Sequence, residues 1–378
     1  MPLLYQVATA ALSPADIAEP IRKILRRYSN IEVVLGEVTA VDPAGRRVTL
    51  ADGSAIGYDR LVLATGSAYH YFGHDEWAGH APGLKTIANA RDIRAKVLLG
   101  FERAEISRDA EEQKALMTTL IVGGGATGAE IAGALAELAH WSLKRDFRNI
   151  DPGDATIMLV EAGPRLLAPF PEPLARYARE RLERLGVVVM TGQAVEEVRA
   201  DGAVIGGRAI RANAIVWAAG IVASPAGRWI GVETDRGGRV AVAPDLSVPG
   251  MDGIYIVGDT ALATDGRGRP LPALAQVAKQ QGTHLGKALA AHLEHGSPLP
   301  PFRFRNRGNT AVIGRSAAIF DFGRRQMKGW FAWMLWAIIH VYLLVSFEKR
   351  LLVSVQWLWR WLTYQRGARL ITYDPPAQ

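Results

Sequence analysis

The hydrophobic residues of this chain gather in short unbroken runs, and stretches with helical periodicity separate several of these runs. Short apolar runs without polar alternation are typical of parallel strands that are buried on both faces. The predicted strands are residues 31–35, 60–64, 120–122, 156–160, 187–190, 214–217 and 253–257. The clearest predicted helices are residues 129–139, 174–185 and 274–292. This alternation predicts a doubly wound α/β architecture.

Two changes in composition indicate where domains begin and end. Residues 102–114 are highly charged and end just before a glycine-rich turn, so they are a candidate bridge between domains. Residues 298–301 form a proline-rich break after the last long predicted helix. The expected segments are 1–114, 115–245, 246–300 and 301–378. A chain of 378 residues is long enough for two globular domains and an appendage.

The positive charge of the chain is concentrated in its last segment. The formal net charge is +7, but from residue 301 onward twelve Lys and Arg residues oppose three acidic residues, a local balance of +9. Six of the ten tryptophans lie between Trp330 and Trp361, next to leucines. A nucleic-acid surface would interleave its basic residues with polar side chains. The pattern therefore favours a membrane surface and no nucleic-acid partner.

The chain contains no cysteine, which excludes several kinds of redox and metal chemistry. Disulfide exchange, thiolate nucleophiles, and Cys-ligated zinc or iron–sulfur clusters all require cysteine. His70, His74 and His80 are spaced too irregularly to indicate a site, and we expect no metal. Redox chemistry would then depend on a bound organic cofactor. The first residues do not resemble a secretory signal, so we expect a cytoplasmic location.

The most specific motif is a G-x-G-x-x-G turn between a predicted strand and a predicted helix. Gly123 permits the tight turn, Gly125 lets the backbone approach a pyrophosphate, and Gly128 allows the helix to pack closely on the strand. The free N–H groups at the start of the helix attract the phosphates. A glycine-rich turn can also serve packing alone. The strand, helix and acidic residue around it favour a dinucleotide site.

That acidic residue is Glu161, at the end of the next predicted strand. A carboxylate there accepts hydrogen bonds from the adenosine ribose and repels a 2′-phosphate, so NADH is favoured over NADPH. The distance from Gly128 exceeds the usual spacing of about 20 residues, and residues 140–154 are interpreted as an insertion. Arg165 lies nearby and is an alternative partner for a 2′-phosphate.

Two weaker motifs flank this turn and give it a family context. Residues 58–66 end in Ala64-Thr65-Gly66, and residues 253–259 end in Gly258-Asp259. Each alone is compatible with an ordinary strand and turn. Their order resembles that of flavoprotein reductases with two dinucleotide domains, in which the NAD domain interrupts the flavin domain.

The chain most resembles the type II NADH dehydrogenases, single-subunit NADH:quinone oxidoreductases that pump no protons. The similar stretches are residues 3–8, 124–130, 217–220 and 275–281. The resemblance implies two Rossmann-like domains and hydride transfer from NADH to FAD, followed by electron transfer to a membrane quinone. It implies that the domain from 115 to 245 binds NADH and that 1–114 and 246–300 form the interrupted FAD domain.

The same resemblance assigns roles to individual residues. It places Ala64, Thr65, Gly66, Gly258 and Asp259 at the flavin, and it counts Ala219, Gly220 and Ala275 among the cofactor-binding residues. It places Gln276 and Gln280 beside the flavin in the quinone pocket, where an amide can donate to a quinone carbonyl without adding a charge. Glu130 is a candidate proton relay, although an acid favoured by the helix start is nearly as good an interpretation.

The last segment is expected to anchor the protein to a membrane. Residues 330–347 contain no formally charged side chain and just reach the minimum of about 18 residues for a spanning helix. Residues 348–350 stop this run, and residues 351–364 are too short to span. Basic residues flank both stretches, as in a monotopic anchor on an anionic leaflet, which the family resemblance also implies. A single spanning helix or an apolar core hairpin are the alternatives.

The beginning of the sequence departs from the family pattern. Residues 2–9 match the family just after the strand–glycine turn–helix unit that binds the FAD pyrophosphate. We therefore expect this chain to be truncated at its N-terminus and to bind FAD poorly. The alternative function is a flavin-free, non-catalytic NADH-binding remnant on the membrane. The sequence leaves the oligomeric state open, and a homodimer is one possibility.

Overall fold

The computed structural model describes residues 3–342, 347–363 and 367–371. The helices are α1 Leu4–Ala8, α2 Pro14–Ile17, α3 Ile21–Leu25, α4 Ile87–Ile106, α5 Ala110–Leu116, α6 Ala126–Glu137, α7 Glu172–Arg184, α8 Ala226–Ile230, α9 Ala275–His295, α10 Trp330–Tyr342 and α11 Phe347–Thr363. The strands are β1 Val38–Asp42, β2 Arg47–Leu50, β3 Ala55–Gly57, β4 Leu61–Leu63, β5 Ser67–Tyr69, β6 Thr119–Val122, β7 Ile157–Glu161, β8 Val187–Thr191, β9 Val195–Arg199, β10 Gly202–Ile205, β11 Arg208–Arg211, β12 Ala214–Trp217, β13 Ile221–Ala223, β14 Val240–Ala241, β15 Ile254–Ile256, β16 Ala261–Leu262, β17 Asn309–Val312, β18 Ala318–Asp321 and β19 Gln326–Gly329. Short 3₁₀ or π turns occur at Asp75–Gly79, Leu138–Ser142, Pro152–Asp154 and Gly258–Thr260.

The chain divides into two compact units. Unit 1 contains residues 1–20, 71–220 and 308–378, and unit 2 contains residues 21–70 and 221–307. These divisions follow packing and fall at other residues than the expected segment limits at 114, 245 and 300. The charged residues 102–114 lie within unit 1, where they form the end of α4 and most of α5. The expected segment limits stay a prediction.

Unit 1 is built on a parallel sheet with the strand order β12-β6-β7-β8. Every residue of β6 and of β12 is buried, which explains why their sequences are apolar without alternation. Helices α4, α6 and α7 contribute buried residues to the same core. The predicted parallel α/β arrangement is therefore present in this unit.

The C-terminal part of unit 1 adds an antiparallel sheet, β17-β18-β19, followed by α10 and α11. Ala332, Trp336 and Val353 on these helices belong to the core that contains the parallel sheet. Helix α11 starts at Phe347, so residues 348–350 lie in its first turn and do not separate two segments as the sequence suggested. Within the described residues, no helix is long and apolar enough to cross a membrane.

Unit 2 contains several small sheets. Strands β1, β2 and β3 form an antiparallel sheet, β4 pairs in parallel with β15, and β5 pairs with β13. Helix α9 is the longest helix of the unit. It ends at His295 and is capped by Gly296, which adopts a left-handed conformation with φ of 66°.

One predicted strand of unit 2 is wrong. Residues 31–35 have no regular secondary structure, and Leu35 is 95% exposed while Val34 is 53% exposed. A strand is stabilised by hydrogen bonds to a neighbouring strand, and within the described residues this stretch pairs with none. Its apolar sequence resembles that of β6, but it lacks the partners that bury β6.

Candidate functional site

The glycine-rich turn follows β6 and leads into α6, as the sequence predicts. Gly123 has φ of 109°, and a Cβ atom there would lie 2.7 Å from the backbone of Ala218 and Ala219. A Cβ atom on Gly128 would lie 1.9 Å from the carbonyl oxygen of Gly123, so no side chain fits there. A Cβ atom on Gly125 would meet nothing within 4 Å. The turn is thus closed at two glycines and open at the third, where a phosphate group would approach.

The carboxylate of Glu161 lies against this turn. One oxygen accepts a hydrogen bond from the Gly124 N–H at 2.6 Å, and the other accepts one from the Gly163 N–H at 2.7 Å. Each oxygen has a second lone pair, so the carboxylate can still accept from a ribose hydroxyl. The Arg165 guanidinium donates to the carbonyl oxygens of Phe170 and Ala168 at 2.9 and 2.6 Å. These contacts favour NADH, although the choice of nucleotide stays a prediction.

The segment that contains Ala219 and Gly220 lies beside the same turn. The N–H of Ala218 donates to the carbonyl oxygen of Val122 at 2.7 Å, and Gly220 has a left-handed φ of 64°. The chain therefore turns sharply away at the carboxyl end of β12. Ligands of doubly wound folds bind at this edge of the sheet.

In unit 2, the two motifs assigned to the flavin meet. The Thr65 hydroxyl is 2.5 Å from that of Ser224, and the carbonyl oxygen of Gly66 accepts from the Thr260 hydroxyl at 2.9 Å. The Ser67 hydroxyl donates to Asp259 at 2.7 Å. The pairing of β4 with β15 brings these residues together, because both motifs follow the ends of these parallel strands.

The Gly258-Asp259 turn is also held from α9. The Gly258 N–H donates to the side-chain oxygen of Gln281 at 2.7 Å, and the amide nitrogen of Gln281 is buried without a partner in the described part of the chain. Ala275 is the first residue of α9. A carboxylate, hydroxyls, an unused amide donor and an open left-handed Gly66 suit a ligand rich in hydroxyl groups, so these residues fit the ribityl end of FAD.

The two glutamines assigned to the quinone pocket fix a neighbouring segment. The Gln276 side-chain oxygen accepts from the Arg307 N–H at 3.1 Å. The Gln280 amide donates to the Arg305 carbonyl oxygen and accepts from the Arg305 N–H, both at 3.0 Å. The two glutamines are four positions apart, so both project from one face of α9. Their place in a quinone pocket stays a prediction.

Glu130 lines a cavity of about 130 Å³ in unit 1. Its carboxylate accepts a hydrogen bond from the Val312 N–H at 3.3 Å. Burial raises the pKa of Glu130 to about 8, and the Val312 hydrogen bond opposes this shift only in part. The carboxyl group is therefore mostly protonated at neutral pH and can exchange a proton within the physiological range.

Aromatic side chains from α10 and α11 form much of the cavity wall. Trp336 stacks on Trp357 with ring centroids 5.1 Å apart. The Trp357 indole donates to the Gln6 side-chain oxygen at 3.0 Å, and the Trp361 indole donates to the Ser316 hydroxyl at 3.0 Å. Glu137, two turns after Glu130 on α6, accepts a hydrogen bond from the Arg315 N–H.

Sequence reasoning missed several of these residues. Ser224 carries no motif of its own. Thr260 directly follows Asp259, and Gln281 is the last residue of the family-like stretch 275–281, but neither of them was assigned a role. Glu137 was detectable as the second acid on the Glu130 face of α6, because residues seven apart share a helix face. The tryptophans were predicted only as a membrane anchor.

The fold and these sites define a pyridine-nucleotide-dependent oxidoreductase of the two-dinucleotide-domain type. Residues 1–282 match the family described as pyridine nucleotide-disulphide oxidoreductase, and residues 306–365 match the NDH2 C-terminal domain. The chain is 38% identical to the type II NADH:quinone oxidoreductase Ndh of Mycobacterium tuberculosis, over 98% of the chain and 82% of that protein. It belongs to the type II NADH:quinone oxidoreductases.

More distant relatives show the same relationship. The chain is 29% identical to a mitochondrial internal alternative NAD(P)H-ubiquinone oxidoreductase of Arabidopsis thaliana, over 94% of the chain and 80% of that protein. The structure of NDH2 from Plasmodium falciparum matches with a TM-score of 0.88 at 20% identity, covering 97% of this chain and 92% of that one. The predicted fold class and family are confirmed, and the oxidoreductase is supported over the flavin-free remnant. The family also supports FAD as cofactor and NADH as substrate.

Proposed function

We propose that this chain oxidises NADH and reduces a membrane quinone, and that Glu130 exchanges the proton that quinone reduction requires. When bound, FAD supplies the hydride acceptor and electron donor of the reaction. The observation that carries the proposal is the position of Glu130: it lies two residues after the nucleotide turn and lines a cavity walled by the tryptophans of α10 and α11. A proton donor and an apolar wall are what a quinone headgroup requires.

The residues of the chain have distinct tasks in this proposal. The turn from Gly123 to Gly128 binds the pyrophosphate of NADH, and Glu161 accepts hydrogen bonds from its ribose. Thr65 and Asp259 orient the ribityl end of the flavin. Glu130 holds a proton on its carboxyl group, because burial keeps this group neutral until a quinone oxygen takes up charge.

Glu130→Gln tests the proton step. The variant should reduce a soluble quinone about 100-fold more slowly, since general acid–base groups contribute at least this much. NADH oxidation by ferricyanide, which takes up no proton, should be unchanged. Equal losses with both acceptors would place Glu130 outside the quinone reaction.

Gln276→Leu is a second test of the acceptor side. If Gln276 donates to the quinone, the variant should slow quinone reduction more than ferricyanide reduction. Gln276 also holds the Arg307 N–H. The companion variant Gln280→Leu removes the two hydrogen bonds to Arg305 in the same segment. If each variant slows quinone and ferricyanide reduction equally, the two glutamines have a structural role.

Membrane association is the second part of the proposal. Helix α11 exposes an apolar face at positions spaced as on one side of a helix: Leu351, Leu352, Val355, Leu358, Trp359 and Leu362. Val353 on the opposite side is fully buried. A helix with this distribution, beside Lys349 and Arg350, suits the interface of an anionic bilayer, where the quinone is dissolved.

Deletion of residues 330–378 tests this part. The deletion also removes Trp336 and Val353 from the core, so NADH oxidation by ferricyanide is measured to verify that the shortened protein still folds. The shortened, active protein should leave the membrane fraction, while the full chain should require detergent for extraction. A full chain that is soluble in low salt without detergent would contradict the anchor. The cytoplasmic face and a homodimer stay predictions.

A further inference from the structure

Trp336 lines the Glu130 cavity and carries a hydrogen-bond donor that has no acceptor. Its indole N–H is buried, and no group in the described part of the chain accepts from it. The side chain is only 2% exposed, so bulk water does not reach the N–H. A buried donor without an acceptor costs free energy, and nearly all buried donors in folded proteins have a partner. An oxygen atom of a ligand in the cavity would satisfy this donor.

Two neighbouring tryptophans of the same cavity wall do have acceptors within the protein. The Trp357 indole donates to the Gln6 side-chain oxygen, and the Trp361 indole donates to the Ser316 hydroxyl. Both of these tryptophans are only partly buried, whereas Trp336 is buried. The indole without an acceptor is therefore the most deeply buried of the three, where water replaces a missing partner least easily.

Stacking fixes the plane of the Trp336 ring. Its centroid lies 4.3 Å from that of His340 and 5.1 Å from that of Trp357, with interplanar angles of 27° and 19°. The His340 ring is itself held, because its Nδ1 donates to the Trp336 carbonyl oxygen at 2.9 Å. An indole N–H lies in the plane of its ring, so the ring and the direction of the donor are fixed together. A donor with a fixed direction loses little freedom when a ligand binds.

The two carboxyl groups of the cavity wall do not accept from this indole. Glu130 accepts from the Val312 N–H and Glu137 accepts from the Arg315 N–H, and neither bonds to Trp336 in the described chain. A quinone carbonyl oxygen accepts hydrogen bonds and donates none, which complements a group that can only donate. The same oxygen gains negative charge during reduction, and hydrogen bonds to charged oxygens are stronger than those to neutral ones.

We infer that the Trp336 indole donates a hydrogen bond to one carbonyl oxygen of the quinone in the Glu130 cavity. The inference rests on the proposed quinone reduction and adds a binding residue to it. The two groups have different tasks. The Glu130 carboxyl group exchanges a proton, whereas the indole N–H keeps its proton and holds the quinone oxygen in place.

Two replacements of Trp336 in the full chain test the inference with a soluble quinone. Trp336→Phe keeps an aromatic ring and removes the N–H. Replacement of Trp336 by benzothienylalanine, inserted by amber suppression, also keeps the ring size, because a sulfur atom takes the place of the N–H. Both should lower kcat/KM for the quinone about tenfold, the loss of one hydrogen bond to an oxygen that gains charge. Ferricyanide reduction should be unchanged.

The same two replacements at Trp330 are the matched control. Trp330 is the first residue of α10, is 45% exposed and does not line the Glu130 cavity. Its replacements should change kcat/KM for the quinone by less than about twofold. Thermal melts verify that each variant folds, and the benzothienylalanine protein decides the test if Trp336→Phe unfolds.

The pH dependence distinguishes a lost hydrogen bond from a disturbed cavity wall. The indole does not titrate, so the pH profile of quinone reduction should keep its midpoint in the benzothienylalanine protein. A shifted midpoint would mean that the change acts through Glu130 and would overturn the inference, as would an unchanged kcat/KM. If Glu130→Gln slows quinone reduction selectively and the Trp336 replacements do not, the proposed function stands without the indole bond. If none of these variants separates quinone from ferricyanide, the proposed function fails as well.

Discussion

The nucleotide turn and the Glu130 cavity share helix α6, yet they are built in opposite ways. The turn is formed mainly by ten consecutive residues, from Thr119 to Gly128, with Glu161 and Ala218 closing it. The cavity takes its wall from four distant parts of unit 1: α1, α6, the β17–β18 turn, and α10 with α11. Its residues span positions 5 to 361.

This difference affects how each site responds to change. The turn is fixed by backbone geometry, so one added methyl group is decisive at Gly128 and harmless to the fold at Gly125. The cavity is fixed by packing between side chains and by two carboxylates that hold backbone N–H groups of the β17–β18 region. Single substitutions in the cavity wall should therefore change the cavity gradually, and a change of pH should affect it as well.

The largest effect is expected for Gly128→Ala. The new Cβ atom would lie 1.9 Å from a backbone oxygen, so β6 and α6 must separate, at a cost of about 3 kcal/mol in unfolding free energy. Gly125→Ala is the matched control and should change stability by less than about 0.5 kcal/mol while weakening NADH binding. Urea denaturation and NADH titration measure both. A Gly128→Ala protein as stable as the parent would show that the turn is not rigid.

The next effect concerns the pH dependence of stability at Glu130. Its folded-state pKa of about 8 lies above the unfolded value near 4.5, so the native state binds the proton more tightly. Stability should therefore be greatest below the unfolded pKa and fall as pH rises toward the folded pKa. Glu130→Gln should remove this loss of stability at high pH. Its free energy of unfolding near pH 8 should exceed that of the parent by about 2 kcal/mol, a figure reduced for the partial exposure of the Glu130 side chain.

Denaturation of the parent and of Glu130→Gln across this pH window provides the measurement. Glu111→Gln, a change at an exposed acid on α5, is the control and should follow the parent curve. Parallel curves for the parent and Glu130→Gln would mean that the carboxyl group is ionised in the native protein at neutral pH.

A smaller effect is expected at the nucleotide turn for Glu161→Gln. Loss of the negative charge should reduce the preference for NADH over NADPH by about tenfold, because the 2′-phosphate is no longer repelled. Fluorescence titration with each nucleotide measures the ratio. Arg165→Gln should leave the ratio unchanged, since its guanidinium binds backbone carbonyls. A selective loss of NADPH binding in Arg165→Gln would instead place this arginine at the 2′-phosphate.

The smallest effect is expected for Trp357→Phe in the cavity wall. The ring stack on Trp336 is kept, but the hydrogen bond to Gln6 is lost, at a cost of about 1 kcal/mol. Trp359→Phe, at a side chain that is 59% exposed, should change stability by less than about 0.5 kcal/mol. If the two variants melt alike, the indole bond does not stabilise the wall.

How far the sequence predicts the structure differs between these regions. It gave the correct place for β6, α6 and the glycines, because a buried strand, a tight turn and a helix start each require particular neighbouring residues. It failed at residues 31–35, whose apolar run is as suitable for a strand as β6. Pairing depends on a neighbouring strand, and the sequence of the run contains no information about that neighbour.

The sequence by itself determined the nucleotide turn, the family and the amphipathic character of α11, since these follow from residues close together in the chain. Only the tertiary structure decided what surrounds Glu130. The sequence around Glu130 also allowed a surface acid at a helix start, whereas in the packed structure Glu130 lines a cavity whose wall includes Trp336 and Trp357. Side chains that are distant in sequence remove solvent from the carboxyl group and raise its pKa to about 8. The residues adjacent to Glu130 in sequence do not reveal this loss of solvent.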